Sequence, residues 1–469
     1  MASNAPKRTL DVTAFLQDAG MTPFHYRLLI ISCLVTFFDG MDFSLVSVAL
    51  PEIQEGLKLE NAMLGYVSSA AFLGQMIGSL AGSYLADVFG RRPVILWCTA
   101  IGAVLTFATG FATSAEMLIV LRLFGGLAIG GLLAPAWAIN IEAMPNSYRA
   151  TAVTIIMLGF SVGGAAAAQT TNLIAPTYGW EGVFFFAGAA TGLLAVVLQF
   201  TMPESARWMV AKGKPAAEVL PLLSRFDPGV GQEGYTELVL SDERKQGGSS
   251  PWAKSAALFK GQLAWITPII WVTYFCSSFA IYIKASFGVK FLQVLDVPVD
   301  TARDLSSIGG LIGAVGAVFL LMFTERKGPI WIAAAPLLGV PLALLIGTGA
   351  VPVGGEAFIA VIMLGMITIG VGHASVISIT SIYYPSAVRA TGGGWASFMA
   401  KFAAVLAPII ASQMFLANKR AVLDGYSFVG LCLAGVVVGI VALAFFARRL
   451  GAERDAEAGL SGAVAEPAE

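Results

Sequence analysis

Two carboxylates stand three residues apart inside the otherwise apolar run TFFDGMDFSLVSVAL, residues 36–50. On a helix, this spacing places Asp39 and Asp42 on the same face. If the run crosses a membrane, loss of hydration and mutual repulsion both disfavour two ionised carboxylates at this depth. We therefore predict that Asp39 and Asp42 take part in binding and releasing protons. The alternative is that one of them pairs with a buried cation and stabilises the helix bundle.

Two cations, Arg122 and Lys401, also lie within apolar runs. A carboxylate that binds in a site with little water needs a positive partner, and the guanidinium fork suits it geometrically. We predict that Arg122 couples the protonation of the two aspartates to a rearrangement of helices. A purely structural ion pair is the alternative.

Five further polar residues in apolar runs are candidate substrate ligands. His373 could carry a proton or donate a hydrogen bond to a substrate, although a lone histidine in a helix bundle is more often a core residue. The other candidates are Gln75, Asn140, Tyr274 and Tyr282. The two tyrosines would suit an aromatic ligand in a largely apolar pocket, and ordinary packing is the alternative.

The elements that must position these residues are membrane helices. Of the 469 residues, 57% are hydrophobic and only 12% are charged, whereas a soluble domain is about one quarter charged. Apolar stretches of roughly 20 residues, the length that crosses a ~30 Å hydrocarbon core, recur along the chain. The twelve predicted spans are 28–50, 63–86, 93–112, 116–140, 150–174, 181–201, 263–288, 305–324, 330–350, 356–382, 390–416 and 425–447. The predicted fold is therefore all-α, with twelve transmembrane helices.

One long polar stretch divides these helices into two halves of six. It contains the flexible sequence GGSSP at 247–251, which predicts a linker rather than a catalytic domain. PNSYRAT at 145–151 and PSAVRAT at 385–391 hold matching positions in the two halves, which favours a transporter built from two repeats. The predicted segments are an N-terminal segment (1–27), the two halves (28–201 and 263–447), a linker (202–262) and a disordered tail (448–469).

Charge and cysteine content indicate how the chain is oriented in the membrane and which partners and ligands are not expected. Most basic residues between the spans fall on one predicted side, and the positive-inside rule makes that side, with both termini, cytoplasmic. The net charge of −1 gives no indication of a nucleic-acid partner. The four cysteines show no C-x-x-C spacing, so we expect small buried hydrophobic residues rather than metal ligands or disulfides.

Several motifs resemble those of the major facilitator superfamily. The loop GSYLADVFGRR at 82–92 is similar to the G-x-x-x-x-D-R-x-G-R-R motif of that family, with Val88 in place of a basic residue. PESARW at 203–208 is similar to the P-E-S-x-R-[WY] that follows the sixth helix of its sugar and metabolite porters. The resemblance covers essentially the whole chain. It implies two pseudo-symmetric six-helix halves that transport by alternating access.

A narrower resemblance points to a substrate class. FFDGMD at 37–42 resembles the D-G-[YF]-D signature of the aromatic acid:proton symporters, and RATGGGW at 389–395 is similar to their eleventh-helix segment. Met41 stands where that family usually has an aromatic residue, and Lys401 stands where its membrane-embedded arginine is expected. The resemblance implies that Lys401 binds the substrate carboxylate, and Asp42 is a second candidate ligand. An ion pair with an aspartate, or snorkelling, is the alternative for Lys401.

Six charged residues cluster at predicted cytoplasmic helix ends and are candidate gating residues. They are Asp87, Arg91, Arg92, Glu142, Arg149 and Arg389. As a charge network they could lock an outward-facing state, and the superfamily motif covers Asp87 and Arg91. The alternative is that they determine topology and solvate the surface.

The sequence thus predicts a secondary active transporter, not an enzyme, that takes up a small aromatic carboxylate together with a proton across a bacterial inner membrane. It contains no P-loop, metal-ligand cluster or hydrolytic triad, so we expect no cofactor and no metal. The expected partners are the substrate, protons and the lipid bilayer, and we expect a monomer. The alternatives are a proton-coupled porter for a non-aromatic organic acid, a sugar acid or another metabolite, and a membrane sensor that does not transport.

Overall fold

The computed structural model describes residues 8–18, 20–231, 234–241, 255–384 and 386–463. Within this part of the chain the fold is almost entirely helical, and it forms two compact units, Met1–Gly247 and Gly248–Glu469.

The first unit holds long helices flanked by short elements. In chain order these are β1 (Thr9–Asp11), α1 (Val12–Asp18), α2 (Pro23–Leu57), α3 (Asn61–Phe89), α4 (Arg91–Thr109), α5 (Ala115–Ala143), α6 (Arg149–Thr201), α7 (Ala206–Ala211), α8 (Ala216–Leu223) and β2 (Glu237–Val239), with 3₁₀ turns at Asn146–Tyr148 and Pro228–Gly231.

The second unit consists of helices joined by short loops. They are α9 (Leu263–Val294), α10 (Val299–Lys327), α11 (Ala334–Gly347), α12 (Glu356–Val376), α13 (Ile379–Tyr383), α14 (Ser386–Met414) and α15 (Lys419–Ala463), with a 3₁₀ turn at Pro329–Ala333 before α11.

Eleven helices among the described residues are long and apolar enough to cross a membrane. One of them, α6, has 53 residues and is bent at Gly179, whose φ of 67° suits glycine. The bend falls between the predicted fifth and sixth spans, so the eleven helices account for all twelve. The predicted all-α membrane fold with six spans in each half is confirmed.

Equivalent helices end in the same backbone turn in both units. Gly90 ends α3 with φ 110° and ψ 162°, and Gly328 ends α10 with φ 104° and ψ 162°. Glycine adopts such positive φ values without the steric cost that a Cβ atom imposes. The N–H groups of Gly90 and Gly328 donate to the carbonyls of Ala86 and Thr324, four residues earlier. The second copy of this loop, TERKG at 324–328, retains little of the motif GSYLADVFGRR at 82–92. The turn geometry is nevertheless the same in both units.

Glycines bring the helices of the first unit into close contact, with α2 packed against α6 and α3 against α5. A Cβ on Gly40 would collide with the carbonyl oxygen of Phe160, and one on Gly163 would collide with that of Phe37. Small residues at a contact between two membrane helices let their backbones approach closely. The close α2–α6 contact fixes the helix that carries the two central aspartates.

The N-terminal segment and part of the predicted linker are folded together. β1 pairs in parallel with β2, with Thr9 opposite Glu237. Val12 and Leu16 of α1 pack with Val219 and Leu223 of α8 in one apolar cluster that also contains residues of the long helices. The linker at 202–262 is thus ordered over most of its described residues, because its apolar side chains are buried against the bundle. The flexible sequence predicted at 247–251 lies outside the described residues.

The predicted disordered tail at 448–469 overlaps the last helix of the chain. Helix α15 continues to Ala463. The sequence ARRLGAERDAEAGLSGA is rich in alanine, glutamate, arginine and leucine, which have high helix propensity. Residues 464–469 lie outside the described part of the chain.

Candidate functional site

Helix α2 places both aspartates deep in the first unit. Its 35 residues extend over ~52 Å, and its midpoint lies at residue 40, between Asp39 and Asp42. Only 3% of Asp39 and 8% of Asp42 is exposed. The two acids therefore lie at mid-membrane depth, as their position in the apolar run predicts.

Asp42 belongs to a buried network that joins α2, α4 and α5. The Thr106 hydroxyl donates a hydrogen bond to its carboxylate, and Nη1 of Arg122 lies 3.4 Å from its Oδ2 atom. Nη2 of Arg122 donates to the Thr109 hydroxyl at 2.7 Å, and the guanidinium lies 5.4 Å from the centroid of the Phe184 ring. A buried cation of this kind requires its counter-charge, because an uncompensated charge in this environment is costly.

Asp39 lies one helical turn from Asp42 and has different surroundings. It interacts electrostatically with Cys98 of α4, whereas the ion pair of Arg122 is with Asp42. The structure thus gives the two acids separate environments although they share a helix face.

The second unit has a polar cluster of its own. The Nδ1 atom of His373 lies 3.1 Å from the Ser277 hydroxyl, and the rings of His373 and Tyr282 meet edge to face at 6.4 Å. Lys401 lies close enough to His373 for an electrostatic interaction. The structure therefore brings together three of the predicted substrate ligands, from α9, α12 and α14.

These residues lie near the middle of their spans. Lys401 is one residue past the midpoint of α14, and Ser277 is within two residues of the midpoint of α9. His373 is within four residues, or ~5 Å, of the midpoint of the span Glu356–Tyr383. Each unit thus places ionisable groups at the depth expected for a transport site.

The remaining candidate ligands have other contacts. Tyr274 donates its hydroxyl proton to the carbonyl of Ile377 at 2.7 Å. Asn140 donates to the Ser32 hydroxyl at 2.7 Å, which lies seven residues, or ~10 Å, from Asp39 along α2. Gln75 is buried in the middle of α3, where its backbone contacts Gly130. Tyr274 and Asn140 thus connect helices, and Gln75 lies on the packed α3–α5 interface.

Two polar residues of the second unit, Ser277 and Lys284, were not predicted as site residues. Ser277 has no distinctive spacing in the sequence, and only the fold brings it to His373. Lys284 lies inside the predicted span 263–288, but its charge favoured a place in an outer loop. In the structure it is ten residues before the end of α9. A lysine inside an apolar span was the signal that could have identified it.

Three of the predicted gating residues form one network at the end of the first unit that the charge distribution predicts to be cytoplasmic. Arg91 lies 3.1 Å from Asp87 and 2.8 Å from Glu142. Arg92 donates instead to the backbone carbonyls of Met202 and Gln199. A cavity of about 450 Å³ borders the network.

Glu204, in the PESARW motif, was not predicted as a site residue. One carboxylate oxygen accepts hydrogen bonds from the N–H groups of Arg91 and Arg92 at the start of α4 and from that of Ser205. Burial raises the pKa of Glu204 above its ordinary value, although these hydrogen bonds and the nearby Arg91 charge oppose the shift. The motif thus caps α4 and connects it to the start of α7.

The repeated P-x-x-x-R-A-T motif makes the same contact in both units. Arg149 donates through Nε to the carbonyl of Met144 at 3.1 Å, and Arg389 donates to that of Tyr384 at 3.2 Å. Each acceptor is the residue just before the proline of its motif. The two arginines therefore close equivalent turns, which gives them a structural role in each unit.

A family model supplies the identification. The model described as Major Facilitator Superfamily matches residues 32–408, a region that includes most of both units. The chain belongs to the Major Facilitator Superfamily. It is therefore a membrane transporter rather than an enzyme, as the motifs predicted.

Two relatives of this superfamily member align over most of its length, and a third aligns over less than half of it. The 4-hydroxybenzoate transporter PcaK of Acinetobacter baylyi is 27% identical over 453 residues, 96% of each chain. The gallate transporter of Pseudomonas putida is 25% identical over 402 residues, 86% of this chain and 88% of its own. The sialic acid transporter NanX of Escherichia coli is 32% identical over 188 residues, 40% of this chain and 46% of its own.

Solved structures of other transporters share the fold. The inward-open xylose transporter XylE of E. coli superposes with a TM-score of 0.67 at 16% identity, over 90% of this chain and 95% of its own. A bacterial homologue of the human lysosomal transporter Spinster gives a TM-score of 0.66 at 17% identity, over 92% of this chain and 98% of its own.

Among the described residues, no group of His, Cys, Asp and Glu side chains could hold a metal ion.

Proposed function

We propose that this chain takes up small aromatic carboxylates together with protons by alternating access. The observation that carries the proposal is a pair of clusters near the middle of their spans, the buried Asp39 with Asp42–Arg122 in one unit and the half-buried His373 with Lys401 in the other. The near full-length similarity to transporters named for 4-hydroxybenzoate and gallate supports the substrate class.

In this proposal the second unit binds the substrate carboxylate. The Lys401 ammonium supplies the positive charge, and His373, Ser277 and Tyr282 supply polar groups around it. Aromatic rings of the same unit, such as Phe275 and Phe402 with centroids 6.3 Å apart, offer an apolar surface for a ring. An apolar pocket with a few placed polar groups is the usual form of a small-molecule site.

Asp39 carries the transported proton in this proposal. The Asp42 carboxylate pairs with Arg122 and accepts a hydrogen bond from the Thr106 hydroxyl. Arg122 in turn links the acids on α2 to α4 and α5, so that a change in charge at the acids alters the contacts between these helices. Asp39 lies one residue from the midpoint of α2 and is 3% exposed, and these two observations support it as the proton site.

We further propose that the protein lies in a bacterial inner membrane as a monomer with both termini in the cytoplasm. The excess of Lys and Arg in the loops on that side supports this orientation. The network of Asp87, Arg91 and Glu142 would then lie at the cytoplasmic end of the first unit, where it could gate access to the site. Arg92, Arg149 and Arg389 would support that end through their backbone contacts.

A sugar acid is the second candidate substrate. The similarity to a sialic acid transporter over 40% of this chain favours it. Lys401 would suit either kind of carboxylate, so the clusters alone do not separate the two classes. The distinction depends on which compounds the protein accumulates.

The test is uptake of labelled aromatic, aliphatic and sugar carboxylates into proteoliposomes, with and without a proton gradient. We expect gradient-dependent accumulation of at least one aromatic acid. Lys401→Arg should retain more uptake than Lys401→Ala, because it preserves the positive charge. Lys290→Ala, which removes a lysine that donates to Gln293 on α9, is the matched control and should transport normally. If no aromatic acid accumulates, or if all variants transport equally, the proposal fails.

A further inference from the structure

A buried histidine lies at the start of the first long helix, outside the candidate site. His25 is the third residue of α2, whose N-cap is Thr22, and 0% of it is exposed. It comes just before the predicted span 28–50, at the end that the basic loops assign to the cytoplasm. The chain has two histidines, and no step of the proposed transport uses this one.

The partners of its two ring nitrogens fix the protonation state of His25. The backbone N–H of Thr22 lies 3.1 Å from Nδ1, and because an N–H group can only donate, Nδ1 must accept. Nε2 lies 3.2 Å from the carbonyl oxygen of Ala143, which can only accept, so Nε2 must carry the hydrogen. The Thr22 hydroxyl, 2.8 Å from Nδ1, can donate to it as well. The two backbone contacts therefore require a neutral imidazole with its hydrogen on Nε2.

The neutral ring connects three parts of the first unit. At the start of α2, His25 takes the place of the Glu or Gln that usually accepts from the N-cap in a capping box. Ala143 is the last residue of α5, so the second bond uses a carbonyl that the helix end leaves without an intrahelical partner. The rings of His25 and Phe226 meet edge to face at 4.9 Å, and Phe226 lies in the linker after α8. One side chain thus holds together the start of α2, the end of α5 and the linker.

A positive charge on His25 would have no counter-charge nearby. Glu142 pairs with Arg91 at 2.8 Å, and Glu204 accepts from the N–H groups of Arg91 and Arg92. The charged groups on the surrounding elements are exposed or have such other partners: Asp18 on α1, Arg27 on α2, Glu142 on α5, Glu204 before α7, and Arg225 and Asp227 after α8. Among the described residues, no carboxylate is within ion-pair distance of the His25 ring. A buried imidazolium would therefore be costly.

We infer that His25 is a pH-sensitive switch whose neutral form holds the start of α2 and the linker to the end of α5. Protonation of Nδ1 places a second N–H group opposite that of Thr22. It also puts a positive charge in the first turn of α2, where the helix macrodipole disfavours cations. An exposed histidine has a pKa of about 6.5, so the contact is complete above this pH and is lost progressively as the pH falls below it.

The consequence for transport rests on the proposed function, whereas the switch itself does not. In a carrier that brings protons to the cytoplasm, acidification of that side would loosen the cytoplasmic end of the first unit. The switch would then respond to the protons that uptake delivers.

The first test determines the tautomer by NMR in full-length protein that carries ¹⁵N-labelled histidine and is purified in detergent without a histidine tag. His373→Gln leaves His25 as the one histidine of the chain. At pH 7.5 the ring should be neutral, with its hydrogen on Nε2. If His373→Gln does not fold, the signal that disappears in His25→Gln identifies His25 in the otherwise unchanged protein. A hydrogen on Nδ1, or a charged ring, at this pH overturns the inference.

The second test measures amide hydrogen exchange at residues 22–28 and 224–230 by mass spectrometry, at pH 7.5 and 5.5, with correction for the intrinsic effect of pH on exchange. If the closed state keeps His25 neutral and the open state titrates as an exposed histidine, opening should increase about tenfold between the two pH values. His25→Gln is the matched control, because glutamine at this position can accept from the N-cap and does not titrate. It should keep the same protection at both pH values.

Two outcomes of the exchange experiment overturn the switch. One is equal corrected exchange of the wild-type protein at pH 7.5 and 5.5, and the other is a full pH response in His25→Gln. His25→Ala, which removes both ring contacts, should show increased exchange at both pH values. No substrate and no proton gradient are present in these measurements, so their failure and a failure of uptake in proteoliposomes are distinguishable.

Discussion

Asp39 and Asp42 occupy the same face of α2, and we propose that they have different tasks. Asp42 accepts a hydrogen bond from Thr106 and pairs with Arg122, both of which stabilise its charge. Asp39 lies beside Cys98. The ion pair with Arg122 is therefore the contact from which the effect of replacing Asp42 is predicted.

We predict that Asp42→Asn reduces the stability of the fold and that Asp39→Asn reduces the coupling of uptake to the proton gradient. Asp42→Asn leaves the charge of Arg122 buried without its counter-charge, which should cost about 3–5 kcal/mol. Asp39→Asn preserves shape and leaves the Arg122 pair in place, so it should abolish gradient-driven accumulation with a much smaller loss of stability. Thermal unfolding in detergent and uptake into proteoliposomes measure the two effects.

The double variant Asp42→Asn/Arg122→Gln is the control for this prediction. It removes both charges, so it should recover part of the stability lost in Asp42→Asn. The recovered stability is the interaction energy between Asp42 and Arg122 in a double-mutant cycle. Unchanged gradient-driven accumulation in Asp39→Asn would reduce that residue to a structural role. Equal unfolding temperatures for the two single variants would contradict the assignment of Asp42 to the buried pair.

Among the elements, the close contact of α2 with α6 is what positions the acids. Gly40 stands between Asp39 and Asp42 in sequence, and the backbone of Phe160 occupies the place of its missing side chain. Any side chain at this position would push α6 away from α2. Gly40 thus acts through packing, and the two acids depend on that packing for their depth and direction.

Gly40→Ala should therefore destabilise the protein although alanine is the better helix former. Overpacking costs typically about 1–3 kcal/mol, which exceeds the ~1 kcal/mol of helix propensity that alanine gains. Gly310→Ala on α10 is the matched control, because nothing lies within 4 Å of its added Cβ. We expect a lower unfolding temperature for Gly40→Ala and an unchanged or higher one for Gly310→Ala. Equal shifts in the two variants would exclude the close contact as the cause.

At the scale of the whole molecule, the parts that follow from local composition were predictable. Apolar stretches predicted the twelve spans. Two departures from one helix per span are the bend at Gly179 within α6 and the break between α12 and α13 within the predicted span 356–382. Contacts between distant segments were not predictable, because they depend on tertiary packing. Nothing in the local sequence places Ser277 beside His373 or assigns Arg122 to Asp42 rather than Asp39. The same holds for β1 and β2, whose three residues each give no strand signal alone.

The pairing of the N-terminal segment with the linker gives the first unit a cap built from two distant parts of the chain. Leu16 of α1 is 2% exposed and packs in the cluster that contains Leu223 and Phe226. Removal of this side chain should loosen the linker, although about 200 residues separate the two segments. Loss of a buried leucine side chain costs about 2–5 kcal/mol, and in a small local unit most of that cost should appear as local opening.

We predict that Leu16→Ala increases the rate of tryptic cleavage at Arg225 about tenfold or more, since cleavage of a folded segment follows the population of its open form. Asp18→Ala, on the exposed face of α1, should leave the rate unchanged. The unfolding temperature of the long helices should change little in either variant, because these helices pack mainly against one another. Cleavage at the same rate in Leu16→Ala and the wild-type protein would mean that the linker folds on the bundle without the N-terminal segment.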